Sequence, residues 1–84
     1  MDASDFDFPY LLSRHAVEQM RKRGIPAAWV HRAIEHPDDE EIDSEDPSCR
    51  HAIKRSRDFG DRILRVIYNA ATEPLTVVTA FFDE

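Results

Sequence analysis

Eighty-four residues carrying a net charge of −6 leave room for one core and lack the basic composition usual in nucleic-acid-binding domains. The single cysteine, Cys49, excludes an internal disulfide, no apolar run is long enough to span a bilayer, and no secretory signal opens the chain. The expectation is a cytoplasmic protein without a membrane partner, of modest stability, since a chain this short buries only about 60% of its unfolded surface.

Charge is unevenly placed along the chain. Asp38, Asp39, Glu40, Glu41, Asp43, Glu45 and Asp46 supply seven of the seventeen acids, while all eleven lysines and arginines lie between Arg14 and Arg65. A positive face opposite an acidic edge fits this distribution. The acidic run itself reads either as a solvated edge that aids solubility or as a surface for a protein partner.

In chain order, residues 1–10 form an acidic and aromatic arm (Asp5, Phe6, Asp7, Phe8, Pro9, Tyr10) expected to pack its rings on the core. Ser13 reads as an N-cap, because its hydroxyl can accept from a free backbone N–H of a first helical turn. The helix runs to about Arg23 with Ala16, Val17 and Met20 on one face, and Gly24 closes it where a left-handed residue is wanted. Pro26 suits the first turn of a second helix, which carries Val30, Ala33 and Ile34 on one stripe and stops at His36-Pro37.

Beyond Pro37 the apolar period becomes two. An edge strand is expected through Glu40 to Asp43, a second from about Arg50 to Ser56, a third from Ile63 to Asn69 and a fourth from Leu75 to Phe82. Asp58, Phe59, Gly60 and Asp61 supply the turn between the second and third. Alternation puts Leu64, Val66 and Tyr68 on one face and Ile63, Arg65 and Ile67 on the other; on the last strand it puts Val78, Ala80 and Phe82 under the helices. If Ala70 to Pro74 pair Asn69 with Leu75, Arg65 stands directly opposite Thr79 on the uncovered face. The fold class is therefore α+β, one domain over residues 1–84. The arm occupies 1–10, a helical hairpin 13–36, and an antiparallel sheet of about four strands 38–83.

The segment Ser13-Arg14-His15-Ala16, followed by Gln19-Met20 and Arg23-Gly24-Ile25, is the most distinctive stretch. Together with Leu64-Arg65-Val66-Ile67 and Val77-Val78-Thr79 it resembles domain-of-unknown-function family 4258, whose hallmark is an S-x-H-A-x-x-R-M-x-x-R-G-I helix followed by L-R-V and V-x-T strands. The resemblance spans residues 11–82. The chain departs from the pattern in having Gln19 for arginine, Pro26 for a capping serine or threonine, and His36 before Pro37. Such domains are distantly similar to RelE/ParE-type toxins and related bacterial ribonucleases. That similarity implies a helical pair on one face of a four-stranded antiparallel sheet, with a site on the open face or near the first helix. It also implies metal-independent RNA cleavage or RNA binding, with RNA and a cognate antitoxin as partners and no cofactor.

Such cleavage needs a base for the 2′-hydroxyl, an acid for the leaving oxygen and cations for the phosphorane. Histidine suits the first two, with an unperturbed pKa of about 6.5. Arginine suits the third, because its fork matches phosphate oxygens. His15, near the free N–H groups of the first turn, is a candidate acid or base, or alternatively a structural histidine bonded to the sheet. Arg65 interrupts an apolar strand, Thr79 is expected beside it, and Lys54 joins them if the intervening turn gives the right register; each also reads as an ordinary strand residue. Arg14, Arg21, His51 and Arg55 are candidate RNA contacts, with His51 a second candidate for the base. The other reading is a non-catalytic interaction module that uses its acidic edge. His31, Glu35 and His36 make a weak metal set, since only the first two share a helix face.

Overall fold

The computed structural model describes residues 8–83. Asp5, Phe6 and Asp7 of the expected arm lie outside the described residues, whereas Phe8 and Tyr10 meet edge to face at 5.4 Å and pack against the core. In chain order the elements are β1 (Leu11–Leu12), α1 (Arg14–Arg23), α2 (Ala27–Glu35), β2 (Asp39–Ile42), β3 (Cys49–Ser56), a 3-10 turn (Arg57–Phe59), β4 (Arg62–Asn69) and β5 (Thr76–Phe82).

Both ends of α1 follow the local chemistry. The Ser13 hydroxyl accepts from the Ala16 N–H at 3.0 Å, and Gly24 takes the left-handed conformation (φ 68°) in which its N–H reaches back to Arg21. Pro26 stands one position earlier than expected, as the residue before α2, where it gives no side-chain cap.

The sheet has five strands in the order β1-β5-β4-β3-β2, not four. It is also mixed, because β1 runs parallel to β5, with Leu11 beside Thr76 and Leu12 beside Val77. Backbone bonds from Leu11 N–H to Leu75 and from Ser13 N–H to Val77, each 3.0 Å, lay this segment along the sheet edge. Two residues are too few to show any period, so the strand left no mark in the sequence pattern.

The β4–β5 register corrects the expected pairing of Arg65 with Thr79. Asn69 pairs with Thr76 and Tyr68 with Val77, after which the ladder shifts so that Ile67 pairs with Thr79 and Arg65 with Phe81. Val78 is the extra residue of a bulge. The bulge also moves the covered face of β5 from Val78 to Val77, which is fully buried together with Ala80. Ser13 explains why the bulge is tolerated: its hydroxyl donates to the Val78 carbonyl at 2.8 Å while accepting from Ala16. One side chain thus caps α1 and satisfies the irregular strand beneath it.

The core lies between the helices and one sheet face. Ala16, Met20, Val30, Ala33 and Ile34 pack over Ala52, Leu64, Val66, Val77 and Ala80, and no buried residue of this set is polar. Each buried leucine- or valine-sized side chain stabilises the fold by roughly 1.5–3 kcal/mol relative to exposure. Phe59, expected only as part of a turn, is instead a core residue, 3% exposed, with its ring centroid 4.5 Å from that of Trp29.

Candidate functional site on the open face of the sheet

The opposite sheet face carries no helix, and the strand registers arrange its side chains as a grid. One row across the sheet reads Asp39, Ile53, Arg65, Phe81, and the next reads Glu41, His51, Ile67, Thr79. Asp43, Cys49, Asn69 and Thr76 continue the grid on one side. Arg55, Ile63 and Asp83 continue it on the other. Directly opposed residues hold their Cβ atoms about 4.5–5.5 Å apart, and long side chains also reach the diagonal neighbours.

Arg65 sits at the centre of this grid and reaches along its diagonals. Its Nε donates to Asp83 Oδ2 at 2.8 Å, and Nη2 lies 2.7 Å from the same oxygen. Nη1 is 2.8 Å from His51 Nδ1 and 3.3 Å from Glu41 Oε1. Burial alone would lower the guanidinium pKa, but the hydrogen bonds and charges of Asp83 and Glu41 outweigh it and hold the pKa above its ordinary value.

His51 extends the chain of contacts, since its Nε2 lies 2.7 Å from Asp43 Oδ1. Arginine has no acceptor, so Nδ1 must accept from Arg65 and the ring proton must sit on Nε2, donated to Asp43. The result is a continuous line Asp83–Arg65–His51–Asp43 that runs from the residue after β5 across β4 and β3 to the loop after β2. The His51 hydrogen bond, with the backbone N–H groups of Asp46 and Glu45, holds the Asp43 carboxyl below the usual carboxylate range. Both central side chains are mostly screened from solvent, Arg65 with 19% of its side chain exposed and His51 with 17%.

The expected four-residue site of His15, Lys54, Arg65 and Thr79 is only half assembled. Arg65 and Thr79 do share the open face, as diagonal rather than direct neighbours. The turn and bulge displace their pairing by two residues in all, and an even displacement preserves the face. Lys54 pairs with Leu64 and therefore belongs to the helix-covered side, where its Nζ is 3.7 Å from Asp38 Oδ1. His15 lies exposed on α1, in the helical layer, and its imidazole makes no hydrogen bond or ion pair among the described residues. Arg14 and Arg21 are exposed on the same helix. Of the expected RNA contacts, His51 and Arg55 reach the open face, Arg55 opposite Ile63.

Sequence reasoning missed Asp43, Glu41 and Asp83 as members of the site. The signal was present in the period of two. Asp39, Glu41 and Asp43 occupy alternate positions opposite β3, so they share the face of His51, while Glu40 and Ile42 point the other way. Glu40 accordingly accepts from the Tyr68 hydroxyl at 3.2 Å on the covered side. Cys49 is buried on the open-face side under the turn that follows β2; this burial, with the Asp46 carboxylate nearby, pushes its thiol pKa up and makes it a poor nucleophile.

Two hollows among the described residues bear on these side chains. One of about 340 Å³ is lined by Asp38, Ile53, Arg55 and Ile63 and adjoins the Arg65 row. The other, about 430 Å³, lies over α2 between Ala28, His31, Arg32, Glu35 and His36. In the second, Glu35 accepts from the Tyr10 hydroxyl and stands 4.0 Å from His31. Among the described residues no group of three or more histidine, cysteine, aspartate or glutamate side chains is placed to hold a metal ion. No helix among them is long and apolar enough to cross a membrane.

Comparison with curated proteins and with solved structures gives no match. The helix beginning at Ser13, the strand of Arg65 and the strand of Thr79 all fall within residues 12–82, which match a family model described as Domain of unknown function (DUF4258). The chain belongs to that family.

Proposed function

We propose that the open face is a metal-independent site that binds RNA and cleaves it, of the kind found in RelE/ParE-type toxins. The observation that carries the proposal is the contact between His51 Nδ1 and Arg65 Nη1, 2.8 Å apart on an uncovered sheet with Asp43 orienting the imidazole. A base held beside a cation is the minimum that in-line attack by a 2′-hydroxyl requires. A phosphate takes the place of Asp83 and Glu41 around the guanidinium, and this exchange frees Nδ1. Nδ1 then accepts the 2′-hydroxyl proton while Asp43 stabilises the imidazolium, and Arg65 stabilises the charged phosphorane. Solvent protonates the leaving 5′-oxygen, and a 2′,3′-cyclic phosphate remains. In this scheme His51 takes the role first considered for His15, Lys54 stays outside the chemistry, and Thr79 stands beside the phosphate as a hydroxyl donor.

The test is incubation of RNA with the purified protein in EDTA, with separation of the products. The wild type should produce fragments ending in cyclic phosphate. His51→Ala and Arg65→Ala should each reduce the rate by roughly 10²–10⁴-fold, the usual worth of a positioned acid–base group. Intact RNA after incubation with folded wild-type protein would end the catalytic proposal.

A second reading, an interaction module whose partner is an antitoxin or another protein, draws on a different observation. All four residues of edge strand β2 are exposed, and Ile42 shows 62% of its surface. Its partner would present basic groups to Glu40 and Glu45. Charge reversal at those two positions should abolish a reconstituted complex, whereas Arg65→Ala should leave it intact.

A further inference from the structure

The ionic line accounts for only part of the open face. Ile53, Ile63, Ile67 and Phe81 share it, each only partly buried and none a member of the core cluster. Phe81 is the only phenylalanine, tyrosine or tryptophan ring on this face among the described strand residues, and it stands directly opposite Arg65. Its strand neighbour Phe82 is used differently: it packs against the core and carries the Arg62 guanidinium 3.8 Å above its ring.

We infer that Phe81 is a base-stacking platform and that the substrate class of the open face is single-stranded RNA. This rests on the reading of that face as an RNA site. A phosphate held by Arg65 places a base of the same strand within reach of the opposed ring. Every nucleobase offers a π face, so stacking recruits a strand without reading its sequence. In a duplex those faces are covered by neighbouring bases, and the ring would gain nothing; an unpaired strand offers them freely. On the other side of the Arg65 row, the hollow lined by Ile53, Arg55 and Ile63 leaves room for the strand to continue across the sheet. The platform also addresses the charge of the molecule. A chain with net charge −6 gains little from general attraction to phosphate, so much of the affinity must come from contacts that do not depend on charge.

The test compares two probes of equal length at low salt, both fully 2′-O-methylated so that no cleavage intervenes. One is a single-stranded oligoadenosine and the other the same backbone with abasic sugars. Wild-type protein should bind the base-bearing strand about tenfold more tightly, in line with the usual worth of one aromatic–base stack. Phe81→Leu keeps an apolar side chain at the position and should erase the preference with an unchanged melting temperature, whereas Phe81→Trp should retain or increase it. Equal binding of both probes by wild type, with both lost in Arg65→Ala, would overturn the stacking role while leaving the RNA site standing. A preference that survives Phe81→Leu would overturn it as well. Failure of the wild type to bind either probe would remove the RNA reading and the platform together.

Discussion

Leu64 and Arg65 are neighbours in the chain, yet they lie on opposite faces of β4 and meet different surroundings. Leu64 is fully buried in the apolar core on the helix-covered side. Arg65 is surrounded by Asp83, Glu41 and His51, with part of its side chain still in contact with solvent. The same strands therefore carry two separate sets of residues. One face is built by removing apolar area from water, which is insensitive to direction; the other by hydrogen bonds, which are sensitive to distance and angle. A small protein can thus keep its apolar packing on one parity of residues and a hydrogen-bonded ionic line on the other.

The sharpest way to break this division is to substitute across it. Leu64→Ala should cost about 2–5 kcal/mol, the usual range for emptying a leucine site in a packed core. At roughly 4–8 °C per kcal/mol for a domain of this size, the melting temperature should fall by more than about 8 °C. Arg65→Ala, one residue along, should stay within about 1 kcal/mol, because partly exposed ion pairs contribute little to stability. Thermal melts of the two variants decide the matter, and comparable losses would mean that the ionic line holds the fold together.

That division was only partly legible in the sequence. The caps at Ser13 and Gly24, the stripe of Val30, Ala33 and Ile34, and the alternation of β4 all rest on local chemistry that a short window displays. The open face as the side of Arg65 and Thr79 was legible for the same reason. Their exact pairing was not, because the strand carries a bulge at Val78 whose carbonyl is bonded by Ser13, far away in sequence. Lys54 went to the covered side because parity in β3 depends on where the tight turn through Gly60 and Asp61 releases the chain, and both residues have positive φ. The acids of the site were hidden by their abundance. Asp43 lies within a run that looks uniformly solvated until the strand pairing separates one side from the other.

A gentler change sharpens the comparison on the open face alone. Asp83 holds two nitrogens of Arg65, in the manner of the phosphate proposed to replace it. Asp83→Asn weakens that hold without deleting the side chain, so affinity for the 2′-O-methylated oligoadenosine should rise by about two- to fivefold, the worth of a modest ion pair. Fluorescence anisotropy at fixed salt reads the change directly. Weaker binding in Asp83→Asn would show that the carboxylate positions the guanidinium rather than competes for it.

The smallest effect concerns the far end of the same line. Asp43 is held below the ordinary carboxylate range first by its hydrogen bond with His51, then by the backbone N–H groups of Asp46 and Glu45. A carboxyl with a depressed folded-state pKa contributes stability that is fully present above its unfolded value, about 3.9, and is lost as pH falls through the lower folded value. His51→Ala removes the largest cause and leaves the backbone bonds in place. Its Asp43 should therefore titrate higher than in the wild type but still below the ordinary range. Carboxyl carbon NMR shifts followed through the acid range measure both proteins. They should begin to lose this contribution at the same pH, near 4, and the variant should complete the loss first. An Asp43 titration unchanged by His51→Ala would mean that the imidazole does not lean on this carboxylate in solution, and Nδ1 would then have no fixed orientation toward Arg65.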